Sequence, residues 1–124
     1  MASEFPYILT LQAVLTASAT ATLSYPMPNN ETLELNSIRF VSTGAFSITD
    51  IRDSSGKHYT NASPSAPILS TALQDARNNF DSLERFEVPI VQDGGKTFYV
   101  DIIDTSGAGN TVRLFLTGKR STNL

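Results

Sequence analysis

Apolar residues at every second position recur along most of the chain, and that spacing admits few folds. In "FYVDIIDTSGAGNTVRLFLTG" (Phe98–Gly118), Phe98, Val100 and Ile102 form one such set, and Val112, Leu114 and Leu116 form another beyond a loop. Successive side chains of a strand point to opposite faces, so this pattern describes half-buried strands rather than helices. It predicts an antiparallel hairpin across Asp104–Asn110 that pairs Ile103 with Thr111, Asp101 with Arg113 and Tyr99 with Phe115. A slip of one residue would set the apolar positions against the polar ones, so the expected register is well specified. The other face then carries Tyr99, Ile103 and Phe115, an apolar row that something should cover. Its cover is either a loop or the N-terminal segment of the same chain, or else another protein.

The same alternation runs through the rest of the sequence. "LTASATATLS" (Leu15–Ser24) reads as a thin strand with a small-residue inner face, ended by the two prolines of "YPMPNN". In "TLELNSIRFV" (Thr32–Val41) the apolar phase moves from Leu33 and Leu35 to Ile38 and Phe40, which marks a β-bulge at Asn36-Ser37. "AFSIT" (Ala45–Thr49) is a further strand, "RDSSGK" a turn and "NASPSAP" a loop. "PILSTALQDARNNF" (Pro67–Phe80) fits either a short helix or an edge strand at its start. "RFEVPIV" (Arg85–Val91) puts Phe86, Val88 and Ile90 on one face, and Pro89 makes it an edge or bulged strand before the turn "QDGG". Seven or eight short strands with frequent turns predict an all-β antiparallel sandwich of jelly-roll or Greek-key type.

At 124 residues the chain is read as one domain, 1–124, with residues 1–7 as an N-terminal arm and 121–124 as a C-terminal tail. A net charge of −3 and scattered basic residues argue against a nucleic-acid partner. With no cysteine, neither a disulfide scaffold nor a thiolate metal site is available. "FPYILTLQAVLTASATA" contains Ala17-Ser18-Ala19, but no positive charge precedes it and polar residues interrupt it. A strand of the mature protein is therefore expected rather than a signal peptide, and the run is too short and polar to span a membrane. On the arm, Phe5 and Tyr7 flank Pro6. Two aromatics on a free segment should dock, either on Tyr99 and Phe115 or on a neighbouring subunit.

Catalytic chemistry finds little to work with. His58 is the single histidine and reads as a solvated loop residue, and no Gly-x-Ser-x-Gly elbow is present. The adjacent glycines of "DGGKT" lack the spacing of a phosphate loop and belong to a hairpin turn. "DIRDSSG" (Asp50–Gly56) offers Asp50 and Asp53, without the spacing of an EF-hand. Asp101 is expected to pair with Arg113 and Asp104 to start a turn. No catalytic residue, metal ligand or cofactor site is assigned.

From Glu31 onward the chain resembles a family of small structural proteins of tailed bacteriophages. The resemblance lies in the order of "ETLELNSIRFVSTGAFSITDIRDSSGK" (Glu31–Lys57), with Phe46, Ile48 and Asp53 before a Ser-Gly turn, then a Pro-containing loop. It continues in "RNNF…RFEVPIVQDGGKTFYVDIIDTSGAGNTVRLFLTGKR" (Arg77–Arg120), with its closing Leu116, Gly118 and Lys119. Such proteins are similar to single jelly-roll capsid decoration or cement proteins. The resemblance implies a non-enzymatic virion protein on the outer capsid surface, present in the host cytoplasm during assembly. Its implied partners are major capsid protein subunits, with a homo-oligomer (dimer or trimer) and neither nucleic acid nor membrane. Phe5, Pro6, Tyr7, Tyr99, Ile103 and Phe115 are then the interface candidates. A receptor- or carbohydrate-binding domain of a tail fibre or baseplate is the alternative, because such domains share the alternating strands and glycine turns.

Overall fold

The computed structural model describes residues 2–73 and 84–123, and the side chains of residues 4–71 and 90–122. Eight strands form two antiparallel four-stranded sheets packed face to face. In chain order they are β1 (Ala2–Leu15), β2 (Thr20–Pro26), β3 (Glu31–Ser42), β4 (Phe46–Asp53), β5 (Ile68–Leu69), β6 (Glu84–Gln92), β7 (Thr97–Asp104) and β8 (Asn110–Asn123). Sheet A has the order β1-β8-β3-β6 and sheet B the order β2-β7-β4-β5. The pairings β1 with β8, β2 with β7 and β3 with β6, together with β4 with β5, describe one long hairpin bent at its middle. The pairings of β3 with β8 and of β4 with β7 roll that hairpin into two layers. This is the jelly-roll form of the expected sandwich.

Rolling the chain in this way overturns the predicted β7–β8 hairpin. Each pair of strands joined by a short connection is split between the sheets, so β7 pairs with β2 and β4, and β8 with β1 and β3. Ile103 lies opposite Thr20 and Ser47 rather than Thr111, and Phe115 lies opposite Thr10 and Arg39 rather than Tyr99. The inward faces nevertheless match the expectation. Phe98, Val100, Ile102, Val112, Leu114 and Leu116 are all at most 1 % exposed. Period-two alternation determines which residues face the core whichever strand lies alongside. They meet Leu9 and Leu11 of β1, Leu33, Leu35, Ile38 and Phe40 of β3, and Phe46, Ile48 and Ile51 of β4. Phe40 and Phe46 join the layers edge to face at 4.9 Å.

Three further expectations need correction. The stretch Leu15–Ser24 is not one strand: Thr16–Ala19 is a turn between the sheets, closed by the Ala19 amide on the Thr16 carbonyl, with Ser18 at φ 60°. Residues 2–7 are not a free arm, and 121–123 are not a tail. β8 pairs along its whole length, from Ala2 opposite Asn123 to Leu15 opposite Asn110. Pro6 is compatible with this because β1 is an edge strand. β6, which contains Pro89, is the opposite edge of the same sheet, as its proline predicted. The Pro67–Phe80 stretch begins with β5, an edge strand of two residues, and one 3-10 turn, Ser70–Leu73. Residues 74–80 and the side chains of Phe86, Val88 and Pro89 lie outside the described residues.

Each sheet contains a bulged strand, and at the β3 bulge the register with β6 also shifts, from Ile90 to Arg85. In β3 the register shifts between Leu35 and Ser37, where the apolar phase predicted it. Gly118 stands opposite, and any side chain there would collide with the Glu34 backbone. In β4 the register shifts between Ile48 and Asp50, leaving Thr49 as the extra residue.

Candidate functional site: two opposite outer faces

The six interface candidates do not form one surface. Tyr99 and Ile103 lie on the outer face of sheet B, whereas Phe115 lies on the outer face of sheet A, on the far side of the core. Tyr99 is stacked under the Arg52 guanidinium, 4.5 Å above its ring. Tyr7 turns inward: its hydroxyl is 3.3 Å from that of Tyr25, and Arg120 lies 5.0 Å over its ring. Arg120 is paired in turn with Glu31. Phe5 is 40 % exposed. With Pro6, Glu4, Asn36 and Lys119, it borders a shallow hollow of about 310 Å³.

The outer face of sheet A carries most of the exposed large apolar side chains, set among polar ones. Six large hydrophobic residues are exposed among those described, and only Leu69 belongs to sheet B. On sheet A, Ile8, Val14, Val41 and Val91 all point outward from strands whose inward residues fill the core. Polar pairs cross between them. Arg113 donates to Gln12 at 2.6 and 2.9 Å, and Lys119 lies 3.2 Å from Glu34 and 3.5 Å from Glu4. Arg113 therefore serves Gln12 and not Asp101.

The outer face of sheet B carries a charged cluster, and its geometry starts at the β4 bulge. Past Thr49 the register sets Asp50 beside Asp101, two like charges on neighbouring strands. Such a pair is destabilising unless cations intervene. Arg52 supplies one, with Nε 2.9 Å from Asp101 and 3.9 Å from Asp50. Thr22 donates to Asp101 from the other side at 2.5 Å. Burial raises the Asp101 carboxyl, but the Arg52 and Thr22 hydrogen bonds and the charge of Arg52 outweigh it and hold the group below its ordinary value.

His58 reaches Asp50 because the chain doubles back along β4. Asp53 ends that strand, and its buried carboxylate accepts from the Ser55 amide and hydroxyl, the Lys57 amide and the Tyr59 hydroxyl. Burial raises the Asp53 carboxyl, yet these donors together bring it down to about 2. The closed turn brings Tyr59 N to the Ile51 carbonyl at 2.7 Å and lays His58 beside Arg52. His58 Nδ1 then sits 2.9 and 3.1 Å from the two Asp50 oxygens. His58 is solvent-exposed, as expected, and is also oriented by its contact with Asp50. Asp53, which the sequence placed beside Asp50, is committed to the turn.

The returning segment walls off a cleft of about 600 Å³ against the sheet, bordered by Thr20, Thr22, Thr49, Asp50, His58, Thr60, Ser63, Pro64 and Asp101. The volume is within the range of small-molecule sites, roughly 300–1,000 Å³. A signal for this cluster did exist in "FSITDIRD". The apolar phase moves from Phe46 and Ile48 to Ile51, as it does in β3, and marks the bulge that brings the two carboxylates together.

Asp104 does start a turn, and it also ties one end of the sandwich. Its carboxylate accepts from the Ser106 hydroxyl and amide, the Gly107 amide, Asn110 and the Ser18 amide of the β1–β2 turn. The Ser106 hydroxyl and then the Ser18 amide hold it far below the usual carboxylate range. Among the described residues no group of three or more histidine, aspartate or glutamate side chains is placed to hold a metal ion. In comparisons with known proteins, no family model matches the chain, and a search of curated proteins returns no match.

Proposed function

We propose that this protein is a non-enzymatic structural protein of a phage particle, binding the outside of the capsid and holding neighbouring coat subunits together. The observation that carries this reading is the outer face of sheet A, where Ile8, Val14 and Val41 are 62, 74 and 63 % exposed. β-branched residues suit strands on either face. That most of the exposed large apolar side chains lie on this one face, with polar groups between them, supports a mixed apolar and polar contact with a macromolecular partner. The resemblance of Glu31–Arg120 to decoration proteins supplies the identity of that partner. A stable contact of this kind buries on the order of 1,000 Å² or more. Repetition over a symmetric shell, with each molecule bridging subunits, adds avidity without new contacts.

The test is cosedimentation with heads assembled in its absence. Wild-type protein should pellet with them. The combined variant Ile8→Thr, Val14→Thr, Val41→Thr keeps β-branching and should melt like wild type, yet bind at least tenfold more weakly. Failure of the wild-type protein to associate with heads would overturn the reading.

A further inference from the structure

We propose that the cleft on the outer face of sheet B binds a neutral saccharide. The inference goes beyond the capsid reading and stands without it, because the cleft and the apolar face lie on opposite sides of the core.

The cleft is rich in hydrogen-bonding capacity that the fold leaves unused. Both Asp50 oxygens face the same His58 nitrogen, and Arg52 Nε is 3.9 Å from the nearer of them, beyond hydrogen-bond reach. A carboxylate offers about four acceptor positions, so Asp50 is under-supplied with donors. Thr22 and Thr49 give their protons to Asp101, to its carboxylate and its carbonyl respectively, and each keeps lone pairs. Thr60 is the complement: its oxygen accepts from the Ala62 amide, which leaves its proton to donate. In the tautomer that donates Nδ1–H to Asp50, His58 presents Nε2 as a further acceptor.

A ligand for this cleft must therefore bring several donors and at least one acceptor on a compact frame. Hydroxyl groups of a sugar do both. Charge argues against an anionic ligand, which would meet Asp50. Arg52 is balanced by Asp101, so a small cation drawn to Asp50 is the rival occupant, but it would leave the hydroxyls of Thr22, Thr49 and Thr60 unused. Ala62 and Pro64 border the cleft and offer an apolar contact for the C–H face of a pyranose ring. No aromatic residue lines it, and Tyr99 on the same face is capped by Arg52. Affinity for a single sugar unit is therefore modest, with a dissociation constant on the order of 1 mM. Display of many copies on one particle would raise it by avidity.

The experiment is a ¹H–¹⁵N titration of the full chain with methyl α-mannoside, methyl β-galactoside, N-acetylglucosamine and lactose. Glucuronate, methylammonium and calcium serve as charged competitors, and a glycan array extends the range of sugars. At least one neutral sugar should bind, shifting amides of Thr20–Thr22, Thr49–Asp50 and His58–Ser63. Asp50→Ala and Thr60→Val should each weaken it at least tenfold with little change in melting temperature. The triple threonine variant of sheet A should bind it as wild type does. Absence of binding by every neutral sugar, shifts mapping elsewhere, or undiminished binding by both cleft variants would overturn the proposal. So would preference for any of the charged probes.

Discussion

Sheet A turns Ile8, Val14, Val41 and Val91 to solvent among polar side chains, while sheet B turns out Asp50, Asp101 and His58 around a cleft, with Arg52 beside them. Both sheets contain one bulged strand beside a long partner. What differs is the residue opposite the bulge. Gly118 faces the β3 bulge, and its lack of a side chain lets the backbones close up beside a shallow hollow bordered by Asn36 and Lys119. Asp101 faces the β4 bulge, so the extra residue there brings two carboxylates together and recruits Arg52 and His58. One backbone irregularity yields a close backbone contact or a charged cluster according to the side chain across from it.

The strongest challenge to treating the faces as separate is that they rest on one core. Leu114→Ala, between the layers, should cost roughly 2–5 kcal/mol. Urea melts followed by probes on either face should shift together; two separate transitions would mean that the sheets unfold independently. Next comes the contrast between the bulges. Gly118→Ala should cost roughly 3 kcal/mol, the upper end of overpacking, because the colliding group is backbone. Thr49→Ala loses one part-buried hydrogen bond, to the Asp101 carbonyl, and should cost about 1 kcal/mol. Equal losses in thermal melts would refute the distinction.

Acid should act on the supports of sheet B. The Asp53 carboxyl is lowered in the folded protein to about 2, so its ionised form favours folding. That stabilisation, on the order of 2 kcal/mol, is complete above about pH 5 and is lost as pH falls through 2. Asp53→Asn should be less stable at neutral pH and show a flatter acid limb in melts from pH 6 to 2. An unchanged limb would count against the turn's role. On sheet A the only resolved shift of an outer-face group has the other sign. Glu34 raises Lys119, a contribution present below the usual lysine value and lost at higher pH. The smallest effects compare two arginines. Arg52→Ala leaves Asp101 without its cation and should cost about 1 kcal/mol, whereas Arg113→Ala should stay within about 0.5 kcal/mol. A reversed order in chemical denaturation would show that the sheet A pairs carry the greater load.

Much of this architecture was legible in the residues, for reasons that also explain what was not. The core faces of β3, β7 and β8, the β3 bulge and the edge position of β6 follow from period two and from proline chemistry. Neither depends on the neighbouring strand. The identity of the neighbour is another matter. Asp101 finds an arginine in either arrangement, Arg113 in the expected hairpin and Arg52 in the fold, so pair chemistry could not choose between them. The Thr16–Ala19 turn was hidden because Ser18 adopts a left-handed conformation without glycine while the Ala–Thr alternation continues through it. The cleft depends on that long-range pairing, on a bulge and on a returning turn together. Hence Asp50 and His58 appeared as unrelated residues.

The pairing of β1 with β8 has a consequence for synthesis. Among the described residues β8 is the only strand hydrogen-bonded to β1, and it is the last of the eight to be made. Until then the Leu9, Leu11 and Leu15 side chains have no ladder beside them to hold them over the core. Loop closure across nearly the whole chain must precede the completed sheet, which places this domain among the slow, high-contact-order folders. A nascent chain arrested before Asn110 should therefore remain open to protease along β1 and become protected only after β8 has cleared the ribosome.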